Sequence, residues 1–252
     1  MMKKFISYIF LFSVLVSGAF SQSIKDLNLK EYELSHQNEK LFLNECSLDD
    51  NKYYNDGVNM LYLTDVEIYI LGWSEDGKLA FLENRGIDGR GGNDLYFTIL
   101  DLVNDKPAFS HNYYYYDETD NCTLEQFIKN NYKEIDKNLK KYGIKIQKTS
   151  YQPLPLKLNG STYNFDITVK ESGPGQYGFN EMIFFVDGTK NNIQKKRITT
   201  SAGLCNKALV TGYLKSPYEN RIALIVAHSR YIFEGSEIFL NFYGCNLDKG
   251  FK

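Results

Sequence analysis

Two stretches near residue 80 dictate an antiparallel β meander: Trp73-Ser74-Glu75-Asp76-Gly77-Lys78-Leu79-Ala80-Phe81, then Gly92-Asn93-Asp94-Leu95-Tyr96-Phe97. Asp76-Gly77 is a hairpin turn, because glycine takes the positive φ that a tight turn demands without steric cost. The layout returns as Ser216-Pro217-Tyr218-Glu219-Asn220-Arg221-Ile222-Ala223-Leu224, then Gly235-Ser236-Glu237-Ile238-Phe239-Leu240. Leu79-Ala80 and Ile222-Ala223 lie 143 residues apart, as do Gly92 and Gly235, Asp94 and Glu237, and Tyr96 and Phe239. The spacing predicts two related antiparallel β units, about 40–116 and 150–249, in a mostly β (α+β) chain.

The first residues read as an export signal. Lys3 and Lys4 form a basic start, Phe5 to Val16 an apolar run, and Ser17-Gly18-Ala19-Phe20-Ser21 a small-residue cleavage site. That run is shorter than the roughly 20 residues a membrane-spanning helix needs. Residues 1–21 are therefore expected to be removed, leaving 22–252 as a single β-rich domain that does not span a membrane, in the periplasm or outside a bacterial cell. Without Lys3 and Lys4 the 29 basic residues fall to 27 against 31 acidic ones, a mature net charge of −4. No basic patch stands out, which argues against nucleic acid as a partner.

Cys46, Cys122, Cys205 and Cys245 all survive cleavage, and four cysteines in an oxidising compartment point to two disulfides. Three connectivities are open; Cys205 with Cys245 is preferred because both fall in the second unit, leaving Cys46 with Cys122. No Cys-x-x-Cys pair favours zinc or thiol redox chemistry.

Along the chain, Ser23 to Asn38 is expected to be a loosely ordered or short helical lead-in, and Leu41 to Cys46 a strand. Val58 to Trp73 alternates with Leu61, Leu63, Ile68 and Ile70 on its buried face, with a bulge near Thr64-Asp65. Strands follow near Lys78–Asn84, Leu95–Leu102 and Ala108–Tyr115. The period then lengthens: Leu124, Ile128, Tyr132, Ile135, Leu139 and Tyr142 share one face of a helix linking the units. Thr123 and Gln126 cap its start, and Gly143 ends it near Tyr142. Later strands are expected at Ile144–Thr149, Leu154–Leu158, Ser161–Lys170, Glu181–Val186, Asn192–Thr199, Ala208–Leu214, Arg221–His228 and Ser236–Gly244. Asn159-Gly160 and Asp187-Gly188 are expected as turns, and Glu171 to Gly178 as a loop.

Ser74-Glu75-Asp76-Gly77-Lys78 resembles the blade signature of TolB-like β-propellers, in which such a turn precedes a buried strand. Trp73 to Leu102, with Ile222–Ala227 and Phe233-Glu234-Gly235, is similar to a bacterial family of predicted secreted proteins of unknown function. That resemblance implies export and a two-unit β fold, and brings no catalytic residues. Pro217-Tyr218-Glu219-Asn220 stands where the second unit would repeat the Asp-Gly turn.

No catalytic constellation emerges from the motifs. His36, His111 and His228 lack metal-ligand spacing, and no nucleophile elbow or phosphate-cradling loop is present. Two surfaces remain as binding candidates. The loop from Glu83 to Asp94 offers the oxygens of Asn84, Asp88, Asn93 and Asp94, which suit calcium, although Arg85 and Arg90 oppose a cation. Glu234 and Glu237 occupy the matching loop of the second unit. The run Tyr113, Tyr114, Tyr115 and Tyr116 offers rings with an apolar face and a polar tip, fit for a glycan or an envelope protein. The leading expectation is a non-enzymatic exported binding or scaffolding module without a cofactor. The alternative is a glycan-directed hydrolase using Asp88 and Asp94 with Glu234 or Glu237 as paired carboxylates.

Overall fold

The computed structural model of the chain describes residues 22–34, 66–87, 92–114, 123–174, 180–205, 207–232 and 235–252. The signal, the expected strand at Leu41 to Cys46, and Leu61, Leu63 and Thr64-Asp65 lie outside them. So do Asp88, Tyr115, Tyr116 and Glu234.

After two short 3-10 turns, Ile24–Asp26 and Leu29–Glu31, come β1 (Val66–Trp73), β2 (Lys78–Ile87), β3 (Gly92–Asp101) and β4 (Lys106–Tyr114). The helix α1 (Leu124–Lys141) follows, then three very short strands, β5 (Lys145–Ile146), β6 (Tyr151–Gln152) and β7 (Leu156–Leu158). The chain closes with β8 (Ser161–Pro174), β9 (Asn180–Lys190), β10 (Gln194–Cys205), β11 (Lys207–Lys215), β12 (Arg221–Ile232) and β13 (Gly235–Asn246). The strands pair antiparallel into three sheets, ordered β4-β3-β2-β1-β5, β13-β12-β11-β6 and β10-β9-β8-β7. Among the described residues the chain is thus mostly β with one long helix, and no helix there is long and apolar enough to cross a membrane.

The helix and the three sheets stack as four layers. Leu124, Phe127, Ile128, Ile135 and Leu139 of α1 pack on Tyr69, Leu71, Leu82, Leu95 and Phe97 of the first sheet. The opposite face of that sheet, with Ile68, Ile70, Leu79 and Phe81, packs on Ala223, Ile225, Ala227 and Phe242 of the middle sheet. Ile222, Leu224 and Val226 turn the other way, onto Phe165, Phe184 and Val186 of the third sheet. Strand side chains alternate between faces, so a strand covered on both sides must be apolar throughout. This is why Ile222 to Ala227 is an unbroken hydrophobic run.

The segment from Lys145 to Leu158 is a strap that crosses the edges of all three sheets in turn. β5 pairs with β1, β6 with β11, and β7 with β8. Its path runs so close that glycine is required on the strands it covers. A Cβ at Gly72 would lie 2.1 Å from the Lys145 carbonyl oxygen, and one at Gly212 would lie 2.3 Å from the Tyr151 ring. Trp73, fully buried, donates from Nε1 to Thr149 Oγ1 at 3.2 Å and so ties the strap to the core.

The helix follows the sequence expectation closely: Thr123 and Gln126 form the reciprocal capping box, and Gly143 has φ +67°. Asn159-Gly160 turns between β7 and β8 with φ values of +49° and +75°. Asp187-Gly188 is not a turn. Both residues sit inside β9, paired to Asp166 and Phe165 on one side and to Arg197 and Lys196 on the other. Gly188 is there because a Cβ would lie 2.8 Å from the Phe165 ring, and the chain reverses instead at Asn191 and Asn192, both at positive φ. The expected loop from Glu171 is likewise strand as far as Pro174, which pairs with Asn180.

The Cys205–Cys245 bridge is not formed. Cys245 is a buried free thiol, pushed up to about 11 by burial. Lys196, which reaches the carbonyl beside Cys245, stands nine residues along β10 from Cys205. At about 3.3 Å per residue that is roughly 30 Å of strand, far beyond the ~4.4–6.8 Å Cα separation of a disulfide. Cys46 and Cys122 lie outside the described residues. Cys245 should therefore resist alkylation in the native protein and react after denaturation without reductant. Peptide mass spectrometry checks this, and a Cys245 that stays blocked until a reductant is added would contradict the burial of a free thiol.

Candidate functional site

The binding residues expected from the sequence fall at one end of the stack, as far as they are described. Asn93 and Asp94 open β3, and the register sets Asp94 opposite Tyr114 and Leu95 opposite Tyr113. On its other side Asp94 faces Arg85 of β2. Arg85 reaches across to the middle sheet, its guanidinium 4.8 Å from the Phe239 ring centroid. Phe239 lies two residues along β13 from Glu237, which pairs with Arg230. Strand ends from both halves of the chain thus meet around Arg85.

Arg85 is the centre of this end. It donates from Nε to Glu83 and also lies over the Tyr96 ring, 5.6 Å from its centroid. Glu83 is buried, and loss of water raises its carboxyl above the usual range even though the Arg85 charge pulls the other way. Asp94 accepts from Tyr96 Oη at 3.1 Å through Oδ2, while its Oδ1 is buried with no partner. Phe239 stacks on His228 at 5.3 Å and 17°, and His228 lies 6.3 Å from Phe184 of the third sheet. Asn241 holds His228 by a 3.1 Å contact at Nδ1. A ladder of rings and one cation therefore runs from Tyr96 through Arg85, Phe239 and His228 to Phe184, crossing all three sheets.

This geometry bears on the calcium reading. Asn84 pairs with Leu95 and bonds Glu67 Oε2 at 2.9 Å, whereas Asp94 pairs with Arg85. Neighbouring positions on a strand face opposite sides of the sheet, so Asn84 and Asp94 do not converge on one cation. Among the described residues no group of three or more His, Cys, Asp or Glu side chains is arranged to hold a metal. The ladder itself was not legible in the sequence. Its one signal was the placement of Arg85 and His228 at the ends of apolar strands.

The opposite end of the stack is a tight structural junction. Gly244 N–H donates to Asp105 Oδ1 at 2.6 Å, and Arg221 Nη1 donates to the Leu102 carbonyl at 2.9 Å. Lys196 Nζ donates to the carbonyls of Asn246 and Lys249 at 2.7 and 2.9 Å. Burial raises Asp105 to about 6, with Asp101 adding to the rise and Gly244, Arg221 and Lys196 opposing it. A carboxyl whose folded pKa exceeds its unfolded value near 3.8 contributes stability below that value and loses it as pH rises through about 6. Asp105→Asn keeps the acceptor and tolerates the positive φ of this position. It should raise stability by ~1–2 kcal/mol at pH 7.5, after discounting for solvent screening, and change little at pH 4. Urea titrations at the two pH values check this.

Fold and site together define a helix-capped stack of three antiparallel sheets with a cation–aromatic ladder at one end. No protein-family model, curated protein or solved structure matches the chain.

Proposed function

We propose that this chain is an exported, non-enzymatic binding module of a bacterial envelope, working through the end of the stack that gathers Asn93, Asp94, Tyr113, Tyr114 and Glu237. One observation carries the reading. At that end Glu83 is paired with Arg85, Asp94 with Tyr96, and His228 with Asn241. Groups so engaged make a rigid platform rather than a mobile acid and base, and a preorganised surface lowers the entropic cost of capturing a partner. The tyrosine run at the end of β4 suits an envelope glycan or protein.

The module is built from two related β units. In support, β1-β2-β3 and β11-β12-β13 are both antiparallel meanders whose first strand carries a register shift beside a glycine, Gly72 and Gly212. Each first strand is also flanked by a short strand of the strap.

The test uses residues 22–252 in sedimentation with envelope glycan and in cross-linking in intact cells. Binding that is lost in Tyr113→Ser/Tyr114→Ser, with melting temperature retained, supports the platform. Binding unaffected by that variant, or absent from both assays, sinks it. The unpartnered Oδ1 of Asp94 favours a second reading, glycan hydrolysis with Asp88, Asp94 and Glu234 or Glu237. Release of reducing ends by the wild type and not by Asp94→Asn would select it.

A further inference from the structure

The strap forms one wall of an open cleft of about 310 Å³ between the edges of the middle and third sheets, away from the ladder. Lys148, Lys157 and Lys215 line it beside Gln147 and Ser150, while Tyr213 and Pro217 supply less polar wall. No carboxylate and no arginine is among its lining residues. Lys148 is paired with Glu31, but Lys157 and Lys215 have no ion pair among the described residues. Three ammonium groups line the cleft against a single carboxylate partner, Glu31 on Lys148, which favours an anionic occupant. An anion in the cleft would supply the missing counter-charge.

We propose that this cleft is a binding site for a phosphate group, free or carried on a small organic body of sugar size. Lysine serves phosphate as a point charge, whereas planar carboxylates are gripped by the arginine fork that this cleft lacks. The volume lies at the lower end of small-molecule pockets, about 300–1,000 Å³, and suits a small occupant. The Ser150 hydroxyl provides a neutral donor for a remaining phosphate oxygen.

Calorimetric titration of residues 22–252 with inorganic phosphate, glucose 6-phosphate and glucose, at matched ionic strength, tests the site. Saturable binding of either phosphate compound and none of glucose is expected. Similar affinities for the two would assign the site to free phosphate, and tighter binding of glucose 6-phosphate would assign it to a phosphate ester. Lys157→Ala/Lys215→Ala should weaken binding tenfold or more, and Lys25→Ala/Lys30→Ala should leave it unchanged. If the first variant loses its native circular dichroism, the single Lys215→Gln substitution takes its place with the same expected direction. No heat with either phosphate compound, or affinity that survives removal of the cleft lysines, overturns the proposal.

Discussion

Gly244→Ala should cost about 3–5 kcal/mol, one of the largest losses a single methyl can cause in this fold. The added Cβ would lie 1.7 Å from the Leu102 carbonyl oxygen and 2.6 Å from its carbon, both backbone atoms that cannot rotate away. Relief requires the β3–β4 turn to move off β13. That movement breaks the Gly244–Asp105 hydrogen bond and strips Leu102 of its Arg221 donor, leaving a buried guanidinium short of a partner. In a domain of this size such a loss lowers the melting temperature by roughly 6–20 °C. Trp73 is the single tryptophan and is fully buried, so its fluorescence reports the transition directly. Gly173→Ala is the control: nothing lies within 4 Å of its Cβ, and a change within about 0.5 kcal/mol is expected. A Gly244→Ala protein as stable as this control would mean that the junction is looser than the geometry states.

Trp73→Ala is the second large effect. Truncating a buried tryptophan costs about 3–5 kcal/mol from lost transfer energy and the cavity left behind. Here the indole fills the space between the first and middle sheets, against Leu79, Leu102 and Leu214. Its Nε1 also anchors Thr149, so the strap loosens with the core. Trp73→Phe refills most of the volume but not the hydrogen bond, and should recover more than half of the loss. Far-ultraviolet circular dichroism in urea measures all three proteins without relying on the missing fluorophore. Equal stability of the alanine and phenylalanine variants would show that packing there matters less than the anchor.

What could be read from the chain follows from the range of the forces involved. The helix was legible to its caps, because Thr123, Gln126 and Gly143 act on neighbours within a turn. Asn159-Gly160 was legible for the same reason, since both residues adopt the turn backbone locally. Asp187-Gly188 carried an identical local signature and misled, because the need for Gly188 comes from the Phe165 ring on the next strand. Cys205 and Cys245 were paired because both fall in the second unit, whereas they lie on strands of different sheets, and β10 carries Cys205 roughly 30 Å of strand away from Lys196 beside Cys245. Asp94 and Tyr114 could be placed at strand ends. That Phe239 would meet Arg85 depends on how two sheets stack, and no spacing in the chain encodes it.

The strap has a consequence for how this protein fails. A sheet edge is a row of unpaired donors and acceptors, and an exposed one invites another chain to pair with it. Strands of only two or three residues cover that side of all three sheets. Such short cover offers a neighbouring molecule little to add to. It also means that one detachment uncovers β1, β11 and β8 together. Damage to a few residues between Lys145 and Leu158 therefore converts a closed surface into three adhesive ones at once, and leads toward aggregation rather than reversible unfolding.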